Sequence, residues 1–278
     1  DKSPLVSVPQ PGKLDDVDFT KQLVLSGNLL YLTRQWVDEG TVATALRMRL
    51  AASATPLPAN ADSWISEVFE NGPNDHQAEA VRKALTHNTT VLLGGPGTGK
   101  TYTIAGMLHA FYSEHALKVS QDTPLTPLRV AIAAPTAKAA RQVTTSVGMS
   151  LSLQHFPQAH ADSIKAVTGV SSTIHRMLGW SPGNRGRFAH HAQNKLPYDV
   201  VIIDEVSMVS LPLMARLLEA LTPTTKLVLV GDPQQLKSVE AGAVLPDIAS
   251  LHEDGIYPIT KLVINRRQAV AGIENSVN

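Results

Sequence analysis

Eight residues, Gly94 to Thr101 (GGPGTGKT), have the types and spacing needed to hold a chain of phosphates. Gly94 and Gly99 frame a loop, and Lys100 and Thr101 close it. Along Gly95, Pro96, Gly97, Thr98 and Gly99, small residues let successive backbone N–H groups turn inward on an anion. A helix that starts at the end of such a loop adds the positive end of its dipole. Lys100 then suits the β- and γ-phosphates, and the Thr101 hydroxyl suits Mg2+. Thr89 to Leu93 reads as a short buried strand before the loop, and Tyr102 to His115 as a helix after it. A glycine-rich turn that binds nothing is the competing reading, but it leaves the order of strand, full pattern and helix unexplained. The implied chemistry is the handling of a nucleoside triphosphate.

Two more strand ends carry polar groups. Val200 to Glu205 (VVIIDE) is an apolar run closed by two carboxylates. Beside a phosphate loop, Asp204 would hold Mg2+ through its water shell, and Glu205 would orient and deprotonate an attacking water. A solvated acid pair is the alternative. Leu227 to Asp232 (LVLVGD) is a third run of this kind, followed by Pro233, Gln234, Gln235 and Leu236. Gln235 is the candidate to touch the γ-phosphate, and it equally suits a residue that only caps a helix start. Asn194-Lys195-Leu196-Pro197 lacks the aspartate of a guanine-recognising NKxD element, which argues against GTP.

These groups need a frame. Apolar runs at 89–94, 129–134, 199–204, 226–230 and 259–263, with helical segments between most of them, predict an α/β fold. Its parallel sheet is covered on both faces, with ligands at the carboxyl ends of the strands. Residues 1–71 read as a separate, mostly helical region. It holds a helix from Arg34 to Leu50 with Trp36, Val37, Leu46, Met48 and Leu50 as apolar positions. A linker from Ala54 to Asn60 follows, then a short helix capped by Asp62 and running through Phe69. This region carries no catalytic signature, so packing or partner docking is its expected role.

Composition sets bounds. With 43% hydrophobic residues in 278 the chain can bury a core, and with no cysteine it holds no disulfide or thiolate metal site. The same absence fits a reducing, cytoplasmic setting. No apolar run approaches the ~18 residues of a membrane span. Asp1 is not a methionine, so the chain reads as a piece of a longer protein. Net charge is zero, yet from Leu128 to Tyr198 eight lysines and arginines face one acid, Asp162. A basic middle in a neutral chain is the footprint of a polyanion partner, unless the charges scatter over the surface.

GGPGTGKT, APTAKAA (134–140), STIHRMLGW (172–180), DEVSM (204–208), GDPQQLKSVEAGAVL (231–245) and LVINRR (262–267) occur in that order. Together they resemble the successive motifs of superfamily-1 helicases of the 5′→3′ class, and most of all the RecD family, the alpha subunits of exodeoxyribonuclease V. The resemblance spans about residues 74–267. It implies a P-loop NTPase (RecA-like) first motor domain over residues 72–278, with a small basic insertion at about 181–197, and ATP and Mg2+ as cofactors. It implies single-stranded DNA and the beta and gamma subunits of exodeoxyribonuclease V as partners.

The resemblance also assigns residues. Gln77 matches the glutamine that reads adenine, against an ordinary exposed helix position. Pro135, Thr136 and Lys138 match one loop on the DNA backbone, and Thr173 and His175 a second. Arg267 matches the arginine that senses the γ-phosphate, with Arg266 as the competing assignment. Arg185, Arg187, His190 and His191 fall in the insertion, which would be a duplex-parting pin or only a basic surface loop. Tyr102 stands where the family pattern has a small residue. The family's second RecA-like domain has no counterpart before Asn278, so these 278 residues alone are expected to hydrolyse ATP very slowly. The expected activity of the complete protein is ATP-dependent 5′→3′ translocation on single-stranded DNA, within a recombinational repair helicase–nuclease. The alternatives are a stand-alone helicase of the same superfamily and a P-loop ATPase that does not act on nucleic acid.

Overall fold

Two short apolar stretches near the N-terminus, separated by Gly27-Asn28, form a hairpin. In the computed structural model, which describes residues 4–9, 16–52, 54–69, 75–122, 126–153, 156–181, 183, 187–235, 244–250 and 257–264, β1 (Val6–Ser7), β2 (Leu23–Ser26) and β3 (Leu29–Leu32) make one sheet in that order. Ser26 lies opposite Leu29, and Gly27 takes φ 59°, a region that glycine enters without steric cost. This sheet adds to the sequence reading, which assigned only helices here. Strands of two to four residues are too short to display a period.

α1 (Thr33–Leu50) buries Asp38, Val42, Leu46 and Leu50, a stripe at every fourth residue. The expected apolar set is corrected here. Met48 is 71% exposed, because it lies on the helix face opposite the Leu46 stripe, and Val42 takes a place in the core instead. α2 (Ala61–Val68) starts at Asn60, not at Asp62. Asp62 sits in the first turn and pairs with Arg82 at 2.7 Å.

α3 (His76–Thr86) is capped by the Asp75 side chain, which accepts from the Gln77 N–H. Then come β4 (Thr89–Gly94), α4 (Lys100–Asp122), β5 (Val130–Ala134), α5 (Ala137–Leu151) and α6 (Ala161–Gly169). α4 runs seven residues beyond the expected His115. β6 (Ser172–Thr173), α7 (Ile174–Met177), β7 (Val200–Ile203), α8 (Leu211–Ala220), β8 (Lys226–Gly231), α9 (Val244–Ser250) and β9 (Ile259–Leu262) complete the order.

Six strands form a sheet in the order β6-β5-β7-β8-β4-β9, with every pair parallel. All five expected strands are present; the sixth, β6, is two polar residues. Both faces are covered. Leu92, Ile202 and Val230 look toward one apolar core with α2 to α6, while Leu93, Ile203 and Leu229 look toward another with α1 and α8. Double burial explains why these strands read as unbroken apolar runs rather than alternating ones.

The N-terminal helices are bound into these cores. Arg49 donates to Thr89 Oγ1 (2.9 Å), Thr222 O (2.9 Å), Asn88 O (3.3 Å) and Thr225 O, which ties the end of α1 to the amino edge of the sheet. Burial lowers the Arg49 pKa to about 10. Arg216 of α8 reaches buried Asp38 at 2.8 Å. On the other face, a Cβ at Gly106 would come within 2.6 Å of the Phe69 ring, so only glycine lets the end of α2 lie this close to α4.

Candidate active site

The phosphate loop is built from the end of a fully buried strand. Gly97 and Gly99 take φ 80° and 89°, which side chains disfavour. Thr98 donates to Gly95 O at 2.9 Å, bracing the loop from behind. Lys100 folds back over the turn and donates to Gly94 O (2.6 Å) and Gly95 O (3.1 Å). Its ammonium is thus already held at the loop mouth by two weak acceptors that a phosphate outcompetes.

Across the mouth, β7 ends in Asp204 and Glu205. Glu205 adopts φ 54°, ψ 43°, a left-handed conformation that costs an ordinary residue about 1–2 kcal/mol. The turn is held by Glu205 N–H donating to Asp204 Oδ1 at 2.9 Å and by Met208 N–H donating to Glu205 O at 3.1 Å. A Cβ at Gly231 would meet Leu245 at 2.7 Å and the backbone nitrogens of Val206 and Ser207 at 3.4 Å. The end of β8 therefore packs directly under this turn.

Burial raises the Asp204 pKa from 3.8 to about 6. The Glu205 charge adds to the rise, while the Glu205 N–H and the Lys100 charge oppose it. A folded-state pKa above the unfolded one makes the ionised carboxylate a burden on the fold. The burden is absent below pH ~4, grows as pH rises toward 6, and is complete above it. It amounts to at most about 3 kcal/mol. Asp204→Asn keeps an oxygen to accept from Glu205 N–H. In metal-free buffer we expect it to be more stable than wild type at pH 7.5 and equal near pH 4, by urea unfolding. A less stable variant at pH 7.5 would contradict this account.

A cavity of about 760 Å³ collects the predicted groups: Gly95, Pro96, Gly97, Gly99, Lys100, Thr101, Asp204, Glu205 and Gln235 all line it. Gln235 reaches it from a turn in which its N–H donates to Asp232 O at 3.2 Å. Thr98 is buried behind the loop. Gln77 is not an exposed helix residue: it is 1% exposed, and its Nε2 donates to Gly99 O (3.1 Å) and Thr103 Oγ1 (2.9 Å). Among the described residues its buried Oε1 has no hydrogen-bond partner. Arg266 and Arg267 lie outside the described residues, as does Arg185.

Some lining residues escaped sequence reasoning. Asp75 lines the cavity as well as capping α3. Tyr102, noted only as a departure from the family pattern, donates to Val68 O at 2.6 Å and meets Phe69 and Phe156 edge-on. Ala139, Gln142, Val143 and Ser146 of α5 form the facing wall. Their spacing marks one helix face, which was the available signal.

The two loops matched to DNA contact stand side by side. β5 and β6 pair Ala133 with Ser172 and Ala134 with Thr173, so Pro135-Thr136 and Thr173 leave neighbouring strands at the carboxyl edge. Thr136 Oγ1 accepts from Ala139 N–H and Thr173 Oγ1 from Arg176 N–H, both at 3.2 Å. Each hydroxyl keeps its proton for another acceptor. Lys138 and His175 are exposed. α5 thus starts in one of these loops and lines the nucleotide cavity further along. The basic window is thinner than its count implies. Arg129 pairs with Asp199 at 2.8 Å at the opposite edge, and Lys195 donates to Glu219 O at 2.6 Å.

The sequence profile of the AAA domain family matches residues 77–241, more than half of the chain. The chain belongs to the AAA domain family. The match runs from Gln77 through the phosphate loop and the Asp204-Glu205 turn to beyond Gln235, so it takes in most of the residues that line the cavity. The P-loop α/β fold expected from the motifs is borne out. The RecBCD enzyme subunit RecD of Mycolicibacterium smegmatis is 44% identical over 227 residues, covering 81% of this chain and 38% of that protein. RecD of Haemophilus influenzae is 32% identical, covering 87% and 38%. The ATP-dependent RecD2 DNA helicase of Deinococcus radiodurans is 30% identical, covering 93% and 31%. The RecD resemblance is therefore borne out, and the AAA domain chain spans less than two fifths of the length of these relatives.

Proposed function

We propose that the protein is an ATP-dependent 5′→3′ translocase on single-stranded DNA, the helicase subunit of a recombinational repair helicase–nuclease. One observation carries the reading. A single cavity gathers Lys100, Thr101, Asp204, Glu205 and Gln235, and α5 joins it to two adjacent loops at the same sheet edge. The names of the relatives support the same activity, and the 44% identity to the RecD subunit of Mycolicibacterium smegmatis, against 30% to the Deinococcus radiodurans RecD2 helicase, supports a multisubunit setting. Beta and gamma subunits of exodeoxyribonuclease V are the proposed partners, and the cytoplasm is the proposed compartment.

In this reading Lys100 leaves its loop carbonyls for the β- and γ-phosphates. Glu205 orients the attacking water and takes its proton, and Gln235 meets the γ-phosphate. Thr101 and Asp204 fit a Mg2+ ion, since such an ion needs only one or two protein oxygens beside the phosphates; it would neutralise charge on them. The unpartnered Gln77 Oε1 suits the amino group of adenine. Arg267 or Arg266 is the proposed γ-phosphate sensor. Pro135, Thr136, Lys138, Thr173 and His175 are the proposed backbone contacts. Residues 1–71 are the proposed docking region and 72–278 the first motor domain.

The test is ATP hydrolysis and oligo(dT) binding by the full-length protein. Hydrolysis should rise with DNA, and affinity should fall as salt rises. Lys138→Ala should weaken binding about equally for all sequences and reduce the salt slope by about 1. Equal rates with and without DNA would reject the reading.

A further inference from the structure

Trp180 is 46% exposed, whereas Trp64 is 8% exposed and Trp36 is half-buried. Among the described residues its indole has neither a hydrogen bond nor a ring partner. Its backbone N–H donates to His175 O at 2.9 Å, which ties its backbone to the end of the Thr173–His175 loop. The support is stiff. Gly179 takes φ 74°, and a Cβ there would come within 2.6 Å of Ala189. His190 N–H donates to Leu178 O at 3.0 Å. The stretch before Trp180 is thus clamped against the stretch after Phe188. Phe188 packs on the core and holds its ring 5.8 Å from that of His175. Arg176 and Arg187 are exposed nearby in sequence, and from Leu128 to Tyr198 the only acid is Asp162.

An unpartnered indole on a rigid support, tied through its backbone to His175 and close in sequence to the exposed Arg176 and Arg187, has the chemistry of a single-strand platform. The aromatic face takes a base and the cations take the flanking phosphates. We infer that Trp180 stacks a nucleobase of the bound single strand, with Arg176 and Arg187 on the adjoining phosphates. This rests on the reading of the Thr173–His175 loop as a DNA contact, and adds where a base is held rather than the backbone. Every base has a π face, so the contact holds the strand without selecting sequence.

The experiment compares equilibrium binding of fluorescein-labelled oligo(dT) and an abasic oligonucleotide of equal length to full-length wild-type, Trp180→Ala and Trp180→Phe proteins. Loss of one stacked base corresponds to about 5- to 150-fold in affinity. Trp180→Ala should lose that factor for oligo(dT), keep the wild-type affinity for the abasic strand, and keep the salt slope. Trp180→Phe should recover most of the loss. Unchanged nucleotide affinity in both variants verifies the fold. Oligo(dT) should quench wild-type tryptophan fluorescence and leave that of Trp180→Ala largely unquenched. Trp180→Ala that binds oligo(dT) like wild type, or that loses both strands equally, overturns the inference; an indole that instead meets a protein partner gives the first of these results. If wild type binds no single strand at all, the proposed function falls with it. Salt-dependent binding with a silent Trp180→Ala removes the stacking contact alone.

Discussion

Glu205→Gln in the full-length protein should lower ATP turnover by about 10²- to 10⁴-fold while ATP affinity stays near the wild-type value. The amide has the shape of the carboxylate, so the left-handed turn at φ 54° and the Glu205 N–H bond to Asp204 Oδ1 are undisturbed. What is removed is the carboxylate charge, which also helps to raise the Asp204 pKa, and with it the ability to take a proton from water. Glu205 lines the same cavity as Lys100 and Thr101, and the substitution leaves both of those side chains in place for the phosphates and the metal ion proposed above. The measurement pairs steady-state phosphate release with calorimetric titration of ATP. Turnover close to wild type would show that another group activates the water. Weakened binding with proportionally weakened turnover would make Glu205 a binding residue instead.

Lys100→Ala should act on the other step. Charge-assisted hydrogen bonds contribute about 1.5–3 kcal/mol, so ATP affinity should fall by about 10- to 150-fold. Lys100 donates to Gly94 O and Gly95 O at the mouth of the loop. The phosphates therefore inherit an ammonium that is held in place rather than one that must be ordered. Alanine loses both the charge and that preorganisation. Turnover at subsaturating ATP should drop with affinity. The two variants thus dissociate: Glu205→Gln loses turnover with its affinity kept, and Lys100→Ala loses affinity. An affinity for ATP equal to wild type in Lys100→Ala would remove the phosphate-cradle assignment from the loop.

Much of this arrangement was legible because its causes are local. β7 and the middles of β4 and β8 are apolar without a break because the sheet is covered on both faces, and that leaves a continuous run in the sequence. The phosphate loop is legible because its positive φ angles at Gly97 and Gly99 demand glycine. Asp204 and Glu205 stand out because carboxylates end an apolar run. Where the cause is not local the reading fell short. β6 has only two residues, both polar, and is a strand because β5 offers it an edge. Met48 is an apolar residue like Leu46 and Leu50, but the buried face of α1 is set by Val42, Leu46 and Leu50 against α8. Arg129 was counted toward a polyanion site, whereas its partner Asp199 lies seventy residues away and just past the counted window.

The sequence by itself determined the chemical vocabulary: a phosphate loop, a carboxylate pair after a buried strand, and an order of motifs shared with the RecD family. Those depend on spacings of a few residues, over which chain geometry is nearly rigid. Only the tertiary structure decided which groups stand together. Lys100 and Asp204 line one cavity because β4 and β7 are separated only by β8 in the sheet, an order that no local pattern encodes. The same packing buried Gln77, raised the Asp204 pKa by removing water from it, and turned one face of α5 toward the nucleotide cavity. Burial and proximity are properties of elements brought together across a hundred residues, so they exist only once the sheet has formed.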